Sequence, residues 1–492
     1  MLVGLWLTPF FIHTLGRNDY GVWLVGMQVL TFLLLADFGI VGVASRDVAR
    51  LHGMEISSGD TGQIAVWFAQ NIKVVLWQTA LVCLGAIAVF AFAPGIKGDL
   101  RGPIGAVLLI FAVSYPLRIF PAVLQGLQDL KFLGQLRMVL WALSTGLTVV
   151  LLLRGAHYYA LVCGWGLQQF GHDLCAMIRL RTVRRELLDP RMWGISGRVE
   201  WRWFVRGFWV SVSQVAYSLV AGTDLTIIAG VIGPGAVVNY SCTGKLVNVL
   251  QNQPMVLAAA ALPGVAQMKS SEPRERVLSS STSLSQAVLL LAGAVSCMVL
   301  AVNRQFITLW LGPQFFAGMP LTILFVTNLL LRQIDYTLAL LLFAFGYEKM
   351  SAIRCLLDGL FSVALAFILA HRFGIDGVML GFVAGAALVA IPFDVYLVKR
   401  EFGMHWAELG RQYLPYVWRV AFVGGLACLI AGFLDKVSWL NLILAAGSVG
   451  VLYLLIVFPY ALKTPLGGYI RSVVAGIQTA TRTQFSRSSI QP

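Results

Sequence analysis

Apolar runs of about twenty residues recur along this chain with only short polar gaps between them, and no other feature narrows its possible folds so far. At a rise of about 1.5 Å per residue, such a run crosses the ~30 Å hydrocarbon layer of a bilayer as a helix. Lipid offers backbone N–H and C=O groups no partner, so a spanning segment is either a helix or a strand of a closed barrel. Unbroken apolar runs lack the two-residue alternation of barrel strands. The reading is therefore an all-α integral membrane protein with about fourteen transmembrane helices. They are expected near residues 2–15, 20–43, 66–93, 104–124, 133–153, 158–178, 204–232, 236–262, 284–303, 318–345, 350–370, 375–398, 420–434 and 439–462. Composition agrees: 58% of the 492 residues are hydrophobic and 12% charged, against roughly a quarter charged in soluble domains. The first span is short, and "LVGLWLTPFFIHTL" is too poor in n-region charge for a signal peptide, so the start is expected to lie inside the helix.

The formal net charge of +14 invites a nucleic-acid reading, which its distribution removes. With the N-terminus cytoplasmic, the opposite side holds seven of the 36 Lys and Arg: Arg17, Lys97, Arg101, Arg154, Arg304, Arg372 and Lys436. Four lie deeper (Lys73, Arg118, Lys245, Arg332), and the remaining 25 fall on the cytoplasmic side. That asymmetry follows the positive-inside rule with both termini cytoplasmic. It also accounts for the Arg-rich "RLRTVRRELLDPRMWGISGRVEWRW" more simply than a lipid-headgroup or partner site would. Seven cysteines lie in or beside apolar runs without a CxxC pair, and the six histidines are scattered. The cysteines read as small buried apolar residues, and no metal or cofactor is expected.

Three corners recur at nearly one offset. "TLGRNDYGVW" matches "VIGPGAVVNY", "LQGLQDLKFLGQLR" matches "FAFGYEKMSAIR", and "LLLRGAHYYALVCGW" matches "ILAHRFGIDGVMLGF". The paired glycines Gly16 and Gly233, Gly126 and Gly346, and Gly155 and Gly374 are 217, 220 and 219 residues apart. The offset divides the chain into a six-span lobe at 1–190, the basic inter-lobe loop through 191–203, and a second six-span lobe at 204–400. An even number of spans gives both lobes the same orientation, hence a pseudo-two-fold axis along the membrane normal and a cavity between them. Outside the repeat lie 401–462, an interfacial amphipathic segment within "KREFGMHWAELGRQYLPYVWR" followed by an extra helix pair, and a cytoplasmic tail at 463–492.

A charge at the bilayer centre costs at least about 2.5–3.5 kcal/mol, so such side chains face a partner or a wet cavity. In the eighth span, Ser241, Lys245, Asn248 and Asn252 share one helical face. The fourth span repeats the device with Ser114, Arg118 and Gln125. The seventh carries Ser211, Gln214 and Ser218 with Asp224 beyond, and the tenth carries Asn328, Arg332 and Asp335. Arg332 with Asp335 and Arg354 with Asp358 have the spacing of local ion pairs. Arg118 and Lys245 have no acid three or four positions away, so each needs Asp37 or Asp224 from another helix, or an anionic ligand. Lys73 sits near a span end and is expected to snorkel. Bare pyrophosphate in hydrocarbon faces a cost on the order of tens of kcal/mol. Arg118, Lys245 and Arg332 in a water-filled chamber would replace part of its hydration, and Asp37, Asp224 and Asp335 are candidates to take a coupling ion.

The segments "TPFFIHTLGRNDYGVWLVGMQVLTFLLLADFGI", "VLQGLQDLKFLG", "DLTIIAGVIGPGAVVNYSCTGKL", "FITLWLGPQF" and "RFGIDGVMLG", in this order, resemble the Wzx-type polysaccharide flippases of the multidrug/oligosaccharidyl-lipid/polysaccharide exporter superfamily. The likeness covers roughly residues 1–400 and rests on structural corners. It implies a two-lobed, MATE-like bundle in the bacterial inner membrane working by alternating access. The implied substrate is an undecaprenyl-pyrophosphate-linked oligosaccharide for O-antigen, capsule or exopolysaccharide assembly. Membrane lipid, a polysaccharide polymerase and a chain-length protein are the implied partners. It carries no binding residue over to this chain. Two departures are the short first span and the helix pair beyond the twelve-span pattern. A cation-coupled drug antiporter of the same fold is the alternative, although exporters of organic cations want an excess of cavity acids. A membrane glycosyltransferase or polymerase fits less well, because no Asp-X-Asp pair and no large periplasmic loop is present.

Overall fold

The computed structural model describes residues 2–33, 40–58, 63–92, 101–188, 212, 215–220, 222–258, 273–345, 347–403, 406–433, 437–463 and 467. These residues form helices joined by turns, and among them eight helices are long and apolar enough to cross a membrane. The chain divides into two compact units, Phe10–Gly222, and Thr223–Pro492 together with Met1–Pro9.

The chain enters with α1 (Leu2–Leu15), α2 (Arg17–Leu33), α3 (Ile40–Ser58), α4 (Gln63–Phe92) and α5 (Arg101–Ser114). A 3₁₀ turn (Tyr115–Arg118) leads to α6 (Ile119–Gly126), α7 (Leu130–Leu153) and α8 (His157–Val183). The sequence ends the second span at residue 43, but α3 stays helical through the charged stretch to Ser58. Its far end is held by Glu55, buried, which accepts from the Arg184 guanidinium (2.8 Å) and the Ile64 amide (3.3 Å). Phe68, Ile119, Val123, Leu124 and Leu180 close a core around α6. Lipid gives helices little hydrophobic reason to associate, so close backbone approach and interhelical polar bonds matter more than in water.

The second unit holds α9 (Asp224–Val231), α10 (Pro234–Thr243), α11 (Lys245–Leu250), a helical stretch at 252–258, α12 (Arg274–Trp310) and α13 (Met319–Ala344). Next comes α14 (Glu348–Gly385), which breaks at Gly374 (φ +59°), so that two spans expected from the sequence form the arms of one hairpin. Gly377, Gly381 and Gly385, four residues apart, let the returning arm lie directly against Leu369, Ala366 and Ser362, where any Cβ would collide. A π-helical turn (Ala386–Ala390) follows, then α15 (Ile391–Phe402). Of the paired corner glycines, Gly16, Gly233, Gly155 and Gly374 adopt positive φ, while Gly126 ends α6 in helical conformation; Gly346 lies outside the described residues.

From Trp406 the interfacial segment expected within 399–419 runs on into the first helix of the extra pair. After Gly403 (φ +70°), α16 runs from Trp406 to Phe433 as one helix with Pro415 inside it. Arg419 donates to the Pro415 carbonyl (2.9 Å) and lies 3.9 Å from the Tyr460 ring centroid, steadying the helix where proline removes a backbone donor. With α17 (Trp439–Ile456), this helix is bonded to α12. Tyr453 donates to the Leu290 carbonyl (2.5 Å), and Cys297 to that of Val420 (3.5 Å).

Candidate membrane-embedded charge site

Arg118 sits where its span stops being an α-helix. Pro116 and Pro121 each remove a backbone donor, and the chain answers with the 3₁₀ turn that Arg118 ends. Tyr115 in the same turn is buried, and its ring lies 5.6 Å from the guanidinium carbon. Among the described residues no carboxylate pairs with Arg118, and its buried Nη1 has no hydrogen-bond acceptor. Ser114 is buried and spends its hydroxyl on the Ile110 carbonyl (2.6 Å), while Gln125 is exposed.

Lys245 also sits at an interruption. Gly244 (ψ −3°) separates α10 from α11, and a second break at Gln251 follows. Gly244 is required there because the Phe325 ring occupies the place of a Cβ. Two buried side-chain amides bind carbonyls at the breaks: Asn303 donates to Thr243 (3.0 Å) and Gln333 to Gln251 (3.2 Å). Lys245 itself is half-buried, and among the described residues no carboxylate pairs with it. Asn248 and Asn252 are exposed, Asn248 accepting from Gln251 at 3.5 Å.

Arg332 is placed differently. Its Nη1 lies 2.5 Å from Asp358 Oδ2 and 3.7 Å from Asp335 Oδ2, and its Nη2 reaches Asp358 Oδ1 at 3.3 Å. Arg354 pairs with Asp335, and its Nε lies 3.1 Å from Asp394 Oδ1. The pairing read as Arg354 with Asp358 from their spacing is thus exchanged. Asp358 serves Arg332 on α13, and Arg354 serves Asp335 and Asp394, because side chains three or four apart on one helix can still reach a closer carboxylate across a packed interface. Asp394 is 0% exposed, Asp358 2% and Arg354 4%. Ser362 donates to Asp358 (3.0 Å). Two guanidiniums and three carboxylates on α13, α14 and α15 thus form one buried network.

Asp224 accepts from the Leu225 amide (2.8 Å). Asn328 is half-buried with its Oδ1 unbonded. Asp37, Ser211 and Gln214 lie outside the described residues. Sequence reasoning passed over Asp394, Asn303 and Gln333. A lone acid in the apolar stretch "VAIPFDVYLV" was the available signal for the first. The two amides carry none, since their role depends on which carbonyls other helices leave free.

The model of the family described as polysaccharide biosynthesis protein matches residues 1–269. The chain is 21% identical to the uncharacterized membrane protein EpsK of Bacillus subtilis (strain 168) over 477 residues, 93% of this chain and 92% of that protein. Among solved structures it is similar to the lipid II flippase MurJ in an inward closed conformation (TM-score 0.61, 13% identity, 90% of this chain and 98% of that one). It is also similar to an inward-facing multidrug resistance MATE family transporter (TM-score 0.64, 16% identity, 80% and 92%). At these identities the structural likeness establishes a MATE- and MurJ-like fold.

Proposed function

Since the chain belongs to the polysaccharide biosynthesis protein family, a family of multi-pass membrane transporters rather than enzymes, we propose that it flips a lipid-linked oligosaccharide. The unit is carried on undecaprenyl pyrophosphate from the cytoplasmic to the periplasmic leaflet of the bacterial inner membrane, by alternating access of two six-helix lobes, for surface-polysaccharide assembly. The observation that carries this reading is a pair of intramembrane cations, Arg118 and Lys245, each at a break in its span and neither neutralised by a carboxylate among the described residues. Uncompensated charge at such depth is costly unless an anion visits it. Each can supply part of what a pyrophosphate loses on leaving the headgroup layer, while its lipid tail stays in the bilayer. Arg332, already engaged by Asp358, contributes through the buried network instead.

Coupling belongs to that network. Three carboxylates against two guanidiniums leave one negative charge in a dry setting, which one proton or small cation cancels. Of the acids raised by the sequence, Asp335 is the one that belongs to this network, paired with Arg354. One elementary charge moving through the membrane field contributes about 2.3 kcal/mol per 100 mV. The test is complementation of a strain lacking its own flippase. Arg118→Glu with Lys245→Glu should abolish surface polysaccharide at normal membrane levels of the protein, and full output from that double variant would refute the reading. Export of organic cations by the purified protein would favour the antiporter alternative.

A further inference from the structure

We infer that Asn303 and Gln333 are positioning residues that clamp the two ends of a hinged segment carrying Lys245, and that Gln333 ties one hinge to the buried charge network through α13. The inference rests on the reading above for its relevance to transport, but its geometry is independent of it.

The span from Pro234 to residue 258 is built of three short helical pieces, with breaks at Gly244 and Gln251. A break in lipid leaves carbonyls that helix bonding no longer serves, and these must be satisfied by protein. At each break one carbonyl accepts from a side-chain amide on another helix, Thr243 from Asn303 of α12 and Gln251 from Gln333 of α13. The Asn303 clamp is reinforced: the same Nδ2 donates to Thr322 (3.0 Å), and the Thr243 hydroxyl accepts from the Ala317 amide (2.9 Å). Between the clamps lie only Gly244 and the six residues of α11, of which Lys245 is the first.

Gln333 lies between the two residues that enter the charge network, Arg332 and Asp335, on the same helical turn. A rotation or slide of α13 that accompanied regrouping of Arg332, Asp335, Asp358 and Arg354 would therefore move the amide that holds the Gln251 carbonyl. Thr337, equally buried one turn further along α13, bonds only within its own helix, to the Gln333 (3.1 Å) and Ile334 (2.9 Å) carbonyls. It belongs to no clamp and provides the control.

The test uses the full chain in native membranes with Lys245→Cys. Alkylation at residue 245 is followed by peptide mass spectrometry, so the seven native cysteines can stay. Gln333→Met, which keeps the volume and removes the donor, should change the alkylation rate about tenfold, as should Asn303→Leu; Thr337→Val should leave it within about twofold. Asp394→Asn should shift the rate in the wild-type clamp background and fail to shift it when combined with Gln333→Met. Rates unmoved by both clamp variants would overturn the inference, as would an equal response to Thr337→Val. If one clamp variant does not accumulate, the other carries the test. Rates that move while Lys245→Gln leaves flipping intact would instead overturn the proposed role of Lys245 and leave the hinge standing.

Discussion

Arg118 and Arg332 are guanidiniums within apolar helices, one in each unit, and their surroundings differ in kind. Arg118 rests against the Tyr115 ring with one buried N–H unanswered. Arg332 is gripped by Asp358, touches Asp335, and belongs to a five-charge network. A charged residue inside a span is therefore not in itself a mark of substrate. The carboxylates around it decide whether it is a building element or a group left available to an anion.

Removing charge from each unit should separate the two cases most strongly. Arg354→Met strands Asp335 and Asp394 and should destabilise the protein by about 3–5 kcal/mol, seen as lost folded material on size exclusion or a much lowered melting temperature. Arg118→Met removes no ion pair and should cost within about 1 kcal/mol; an equal loss would break the comparison. Next in size, Arg332→Met alone should cost roughly 2–4 kcal/mol, and adding Asp358→Leu should recover part of it, because the second change removes the stranded acid. A purely additive double variant would show that the pair is not coupled. Smaller again, Gly381→Ala forces a methyl against the Ala366 backbone and should cost about 1–3 kcal/mol by thermal melting. Smallest, Ser438→Ala removes the acceptor for the Asn441 amide at the start of α17 and should cost about 0.5–2 kcal/mol, a scale for changes remote from both charge sites.

Much of the fold was readable because lipid makes local rules strict. Apolar length located most of the spans, and two of the three repeated glycine pairs located corners whose backbone takes positive φ. The absence of a nearby acid singled out Arg118 and Lys245, and neither has a carboxylate partner among the described residues. What escaped was everything decided between helices. The exchange of partners between Arg354 and Arg332 depends on how closely α13, α14 and α15 pack, and the Gly377, Gly381, Gly385 series permits that approach without announcing where it leads. Pro116 and Pro121 accompany the break near Arg118, but nothing local distinguishes Gly244 from other glycines until Phe325 is found against it. The helical extension of α3 was missed because Glu55, beyond the apolar boundary, is satisfied by Arg184 from the far end of α8, a partner distant in sequence.

The five-residue π-helical turn at Ala386–Ala390 sets the azimuth of everything after it. Each residue in an α-helix advances the side-chain direction by about 100°, and a π turn is an α-helix carrying one residue too many. Trimming a single alanine from 386–390 would swing Asp394 about that far around the axis, out of reach of Arg354, while leaving the composition and apolar length of the span nearly untouched. A homologous chain one residue shorter here would align almost perfectly and yet lack this acid from its interior.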